Sequence, residues 1–142
     1  MYKKKILLIT ERRADYSRFK PILKNIKKDK SINYVLIVTG LHLLKKHGNT
    51  INEILKDKCK VSYKLKNFNS NKSDDGQSMI IAMGEVFKKI APIIKKEKPD
   101  IILSGFDIGA NFALTVAGAH MNIPVAHIQG GELTGSIDES LR

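Results

Sequence analysis

The stretch HIQGGELTGSIDESLR, residues 127–142, sets His127, Gln129 and the carboxylates Glu132, Asp138 and Glu139 around the glycines Gly130, Gly131 and Gly135. Such a segment offers little to a hydrophobic core, and its acids are the groups that move protons in general acid–base chemistry. Asp107 in SGFDIG, Arg13 and Ser17 in RADYS, and His42 in TGLHL are the other candidates. No His/Cys cluster has metal-ligand spacing, so the sequence offers no metal site.

These residues need elements to bring them together. Residues 4–10 (KKILLIT), 33–39 (NYVLIVT), 101–104 and 124–128 are apolar runs of strand length, and 60–65 (KVSYKL) alternates like a strand. Between them lie amphipathic stretches. One runs from Ala14 through Tyr16, Phe19, Leu23 and Ile26, with Pro21 predicted to delay or kink it. A short helix is predicted over 51–55, a long one over 79–96, kinked at Pro92 and ended by Pro99, and an alanine-rich one over 108–121. The polar segment 67–78 reads as loop. Strands alternating with helices imply an α/β fold, a Rossmann-like parallel sheet with helices on both faces. Ligands of such sheets bind beyond the carboxyl ends of the strands. Those ends carry Thr10-Glu11-Arg12-Arg13, Thr39-Gly40-Leu41-His42, Ser104-Gly105-Phe106-Asp107 and the segment from His127 to Glu132, so the polar candidates gather on one edge.

Composition narrows the function classes. At 142 residues the chain has the size of one domain, and 42% hydrophobic with 27% charged residues is a globular balance. No apolar run reaches the roughly 18 residues that span a bilayer, and ILLI in the first strand is too short for a secretory signal. Cys59 alone can form no internal disulfide, which agrees with a reducing, cytoplasmic compartment. The net charge of +11 comes from lysines spread over helix ends and turns, without an arginine stripe or interleaved aromatics, a pattern that argues against nucleic acid and favours a small anionic ligand.

RADYSRFKPIL (13–23), TGLHL followed by HGNT (39–50), PDIIL followed by Asp107, and NIPVAHIQGGELTGSIDESLR (122–142) together resemble the UDP-N-acetylglucosamine 2-epimerases, and among them the hydrolysing branch of sialic and legionaminic acid synthesis. The resemblance covers the whole chain in order. It implies the amino-terminal half of a glycosyltransferase-B fold, so residues 1–142 are expected to form the first Rossmann-like domain of a two-domain epimerase. The nucleotide-binding second domain would lie beyond them, and the full-length protein is expected to be a homo-oligomer. It also implies a UDP-sugar substrate, no cofactor, and conversion of UDP-GlcNAc or a related UDP-diacetamido-trideoxyhexose to UDP and the free 2-epimeric sugar by way of a glycal. By itself this domain is expected to be inactive.

The resemblance further implies roles by position. Asp107, seven residues after Asp100 of the PD pair, matches the aspartate of a GDR motif, and Asp138 matches the acid of the IDE segment; with Glu132 these are the catalytic candidates. Arg13 and Ser17 match residues that approach the diphosphate, and His42, His127 and Gln129 match substrate-cleft positions. Bland readings stand beside these. Asp107 could cap the helix that follows it, Ser136 and Glu139 have capping-box spacing, Arg13 could form a surface ion pair, and His127 could be a structural histidine. His47 and His120 are read as incidental. Two departures from the family pattern stand out: Phe106-Asp107-Ile108 replaces GDR, and Gln129, which cannot act as a base, stands where relatives carry Glu or His. The competing readings are a non-hydrolysing epimerase or glycosyltransferase of the same architecture, and a catalytically inactive sugar-nucleotide-binding module.

Overall fold

The computed structural model describes residues 2–68, 75–105, 109–133 and 135. Five strands, β1 (Lys4–Thr10), β2 (Ile32–Thr39), β3 (Tyr63–Leu65), β4 (Ile101–Ser104) and β5 (Val125–His127), form one sheet in the order β3-β2-β1-β4-β5. Every neighbouring pair is parallel. Helices α1 (Arg13–Ile26), α2 (Ile51–Lys56), α3 (Gly76–Glu97) and α4 (Gly109–His120) connect them. Alternation of the strand side chains divides the core in two. Leu7, Ile9, Val35, Ile37 and Ile102 face α3 and α4 through Val86, Ile90, Ile94, Ala113 and Leu114. Leu8, Leu36 and Val38 face α1 and α2 through Tyr16, Phe19, Leu23, Ile51 and Ile54. The expected α/β architecture with helices on both faces is therefore present.

Several boundaries differ from the sequence expectation. α1 begins at Arg13 and contains Pro21 within it, so the proline does not delay the helix. α3 begins at Gly76 because Asp75, read as loop, caps it: the carboxylate accepts the Ser78 N–H at 2.8 Å. β3 is confined to three residues, and two 3-10 turns, Gly40–Leu43 and Lys45–His47, follow β2.

The amino edge of the sheet is closed by polar contacts. Asp100 accepts the Lys5 N–H at 2.8 Å and the Tyr2 hydroxyl at 2.8 Å, bonds that hold its carboxyl below the usual carboxylate range. Glu97 accepts the Tyr63 hydroxyl at 2.5 Å and pairs with Lys5 at 3.3 Å. The PD pair of the sequence thus serves the edge opposite the one where ligands bind.

α4 lies close against the sheet at Gly118, where an added Cβ would stand 2.6 Å from Ile102 Cδ1 and 2.9 Å from Val125 Cγ2. In an open helix, alanine would gain about 1 kcal/mol over glycine. Here overpacking of a buried face, at roughly 1–3 kcal/mol, outweighs that gain. Gly118→Ala is expected to lower the urea midpoint of unfolding at unchanged slope; a midpoint at or above that of the parent would show that α4 does not pack as described.

Candidate functional site

In a parallel sheet every strand delivers its carboxyl end to the same edge, and the crevice opens where the strand order reverses. Here β1 is that point, with β2 on one side and β4 on the other. The residue that follows β1 is Glu11. Although it stands only two residues before α1, its side chain turns inward and is only 7% exposed.

Its carboxylate joins segments distant in the chain. Oε2 accepts the N–H of Ala110, in the first turn of α4, at 3.0 Å, and Oε1 accepts the Asn67 side-chain amide at 3.1 Å. Asn67, just past β3, accepts the Gly40 N–H and the Thr39 hydroxyl through its own oxygen, each at 2.9 Å. The backbone of Glu11 is also engaged. Its N–H donates to Asp15 Oδ2 at 3.2 Å, beside the Arg12 N–H at 3.0 Å, and its carbonyl accepts the His42 N–H at 3.3 Å. The Ala110 amide at the start of α4 thus meets a carboxylate supplied from another strand, a favourable charge for a helix N-terminus.

Two glycines fit around this group, both with positive φ. A Cβ on Gly40 (φ +60) would lie 2.3 Å from Glu11 Cγ, and one on Gly109 (φ +64) would lie 2.1 Å from Oε2. Either side chain would displace the carboxylate as well as strain the backbone. Burial raises the Glu11 carboxyl above the ordinary glutamate range, against the lowering effect of the Ala110 and Asn67 hydrogen bonds. Burial raises Asp15 as well, although Arg12 pairs with it at 3.2 Å. Beside Glu11 opens a cavity of about 220 Å³ lined by Arg12, Leu41, His47, Phe68, Met79 and Gly109. Its chemistry is an acidic group against an apolar wall, with a guanidinium and an imidazole at hand. Among the described residues no group of three or more His, Cys, Asp or Glu could hold a metal ion.

The residues singled out by the sequence fall around this centre in different ways. Arg13 is 74% exposed and pairs with Glu53 at 3.4 Å. It shares a hollow of about 350 Å³ between α1 and α2 with Ser17, whose hydroxyl donates to the Ala14 carbonyl at 2.8 Å. His42 is buried, with one ring nitrogen 2.9 Å from the Thr10 hydroxyl and the other 2.7 Å from that of Thr50. Burial lowers its pKa to about 4, so the ring is neutral at physiological pH. His127 ends β5 with its side chain exposed, its ring against Gly130. The Gln129 side-chain oxygen accepts Arg18 Nη1 at 2.7 Å, which ties the β5 exit to α1. Glu132 is exposed. Asp107 and Asp138, with Phe106, Ile108, Ser136 and Glu139, lie outside the described residues. Glu11 is a strand-end residue to which the sequence gives no role, and its signal there is an acid directly after the buried carboxyl half of an apolar strand. His47, read as incidental, lines the Glu11 cavity.

Residues 24–142 match the model of the family described as UDP-N-acetylglucosamine 2-epimerase. The UDP-N,N'-diacetylbacillosamine 2-epimerase (hydrolyzing) of Legionella pneumophila is 34% identical over 139 residues, which are 98% of this chain and 36% of that protein. The UDP-N-acetylglucosamine 2-epimerase of Neisseria meningitidis serogroup B is 32% identical over 139 residues, with the same shares of 98% and 36%. The chain therefore spans about a third of the length of these relatives. Among solved structures, the Neisseria meningitidis UDP-GlcNAc 2-epimerase bound to UDP-GlcNAc superimposes with a TM-score of 0.77 at 22% identity, over 97% of this chain and 37% of that one. It shares the fold.

The raised carboxyl of Glu11 has a consequence for stability with a definite sign. A carboxyl whose folded pKa lies above its unfolded value contributes stability that is complete below the unfolded pKa and is lost as pH rises through the folded one. The unfolding free energy of the parent minus that of Glu11→Gln is therefore expected to fall as pH rises upward from the ordinary glutamate value of 4.5. Denaturant titrations across that range measure it; a flat or rising difference would mean that Glu11 is not buried as described.

Proposed function

The chain belongs to the UDP-N-acetylglucosamine 2-epimerase family, and we propose that it is the amino-terminal Rossmann-like domain of a hydrolysing member. The substrate would be UDP-GlcNAc or a UDP-diacetamido-trideoxyhexose, and the products UDP and the free sugar inverted at C2. The observation that carries this reading is the family match across residues 24–142, in a chain folded as a parallel α/β sheet. The activity for which the 34% identical Legionella relative is named supports both the hydrolysing reaction and a diacetamido sugar.

The chemistry assigns work to the acids. A carboxylate takes the C2 hydrogen while the C1–oxygen bond breaks, so that UDP departs with the electron pair and a C1=C2 glycal remains. Water then adds its oxygen to C1, and a proton returns to C2 from the opposite face. The sequence is redox-neutral and uses two carboxyl groups on opposite sides of one ring. We assign these steps to Asp107 and Asp138, with Glu132 assisting. Arg13 and Ser17 approach the departing diphosphate, where positive charge stabilises the leaving group. His127 and Gln129 are placed at the sugar, the latter as a hydrogen-bonding group only, and His42 supports the cleft from behind. The remaining contacts to uridine and diphosphate come from a second domain, and the complete protein acts as a cytoplasmic homo-oligomer. Inactivity with retained binding is the alternative favoured by Phe106, Ile108 and Gln129.

The complete protein encoded with this chain is expected to release UDP from one of the two nucleotide sugars, with the free 2-epimer and transient glycal detectable by NMR. Asp107→Asn and Asp138→Asn should each lower kcat by roughly 10²–10⁴-fold. Unchanged turnover in both variants would remove the catalytic assignment. UDP-sugar binding without turnover in the parent would favour the inactive reading, and a UDP-linked rather than a free product would favour a non-hydrolysing epimerase.

A further inference from the structure

On the epimerase reading above, we propose that Glu11 is a positioning residue of the carboxyl-edge site: its carboxylate locks the first turn of α4, the exit of β2 and the exit of β3 into the one arrangement that a substrate meets. Three observations converge on it. Both oxygens are bonded to segments far away in sequence, Ala110 at 3.0 Å and Asn67 at 3.1 Å, and Asn67 passes the link on to Gly40. Two glycines with positive φ, Gly40 and Gly109, vacate the volume that the carboxylate fills. And the group lies at the reversal point of the strand order, on the wall of a cavity of about 220 Å³.

Burying a carboxylate costs free energy that a neutral side chain of the same shape avoids. What the carboxylate supplies is acceptor capacity without a donor: it receives Ala110 N–H on one side and the Asn67 amide on the other. Glutamine offers one oxygen and one NH₂, so it satisfies one of these partners and faces the other with a second donor. Protonation has the same effect, since the acid O–H points a donor at one of them. The ionised form alone satisfies both partners at once, although burial makes it the costlier form in the folded chain. The titratable and charged groups facing Glu11 are Asp15 and Arg12 at the start of α1 and His47 across the cavity; His42 meets it through the backbone amide. Of these, His42 is hydrogen-bonded at both ring nitrogens within the protein.

The test uses the complete protein with Glu11→Gln, Asn67→Ala and the double variant. It reads the kcat and KM of UDP release against pH, the thermal midpoint, and the Ala110 amide by ¹⁵N NMR. Glu11→Gln is expected to lose about 10–100-fold in kcat, the effect of a small misplacement of reacting groups, with KM within about threefold. The parent's kcat should fall at acid pH as Glu11 takes up a proton, and this limb should be missing in Glu11→Gln. Because the two side chains act as one unit, the double variant should lose no more than about twofold beyond Glu11→Gln.

Parental kcat in Glu11→Gln, an unchanged acid limb, a loss matched by the fall in folded fraction, or losses that multiply in the double variant would each overturn the proposal. If the parent releases UDP from neither nucleotide sugar, the epimerase reading fails and the Ala110 amide decides. A pH-dependent shift and exchange protection that vanish in Glu11→Gln support the positioning role, and their persistence refutes it. Should Glu11→Gln fail to fold, the same readouts on Asn67→Ala decide in the same way.

Discussion

One buried carboxylate organises the working edge of this fold. A parallel sheet delivers all its strand ends to one side, where helix N-termini and turn amides are left in want of acceptors. The glutamate after β1 meets that want at the centre of the sheet. It takes the Ala110 amide of α4 and the Asn67 side chain, while its own backbone is bonded to Asp15 and His42. Exits of β1, β2 and β3 and the start of α4 are thereby parts of one network. The arrangement works only because Gly40 and Gly109 leave room, since a Cβ at either would stand within 2.3 Å of a Glu11 atom.

The two edges of the sheet illustrate two uses of acidic residues. At the amino edge, Asp100 and Glu97 are partly exposed and paired with Lys4 and Lys5, and their hydrogen bonds hold both carboxyls below the ordinary range. They fasten β1 to the chain around β4 at little desolvation cost. At the carboxyl edge, Glu11 and Asp15 are buried, and burial raises both despite their hydrogen bonds. Asp15 works locally, gathering the amides that open α1 and pairing with Arg12. Glu11 works at long range. A fold that closes one edge with ion pairs and builds the other from desolvated acids has made the second edge responsive to charge and solvent, the condition under which side chains can do chemistry.

The sequence made the architecture legible because its signals are local. β1 spans the run KKILLIT, β4 the run IILS, and the helices lie between the strands as periodicity requires. Failures occurred where a single side chain overrides its neighbourhood. Asp75 turns a polar loop into a helix start, and the turns after β2 follow from a glycine with positive φ rather than from any apolar pattern. The site was legible as an edge but not as a geometry. The strand ends do share one edge of the parallel sheet, yet Glu11 carries no role in the sequence, since its partners Asn67 and Ala110 lie 56 and 99 residues away and no window of sequence contains them. His42 shows the converse. Its sequence context reads as a cleft ligand, whereas Thr10 and Thr50 occupy both ring nitrogens and burial keeps the ring neutral.

Charge placement also orders the edge from rim to floor. The chain carries +11 overall, and Arg12, Arg13, Lys20 and Lys56 stand around the start of α1 and the hollow beside α2. An anion approaching this face is attracted to that rim. The inner wall is different: the buried Glu11 stands beside the apolar side chains of Leu41, Phe68 and Met79, with Arg12 and His47 on the same cavity. Gln129 fits the same division, because an amide bonded to Arg18 adds no negative charge to the rim. The molecule therefore presents cations at the rim and two desolvated acids, Glu11 and Asp15, within.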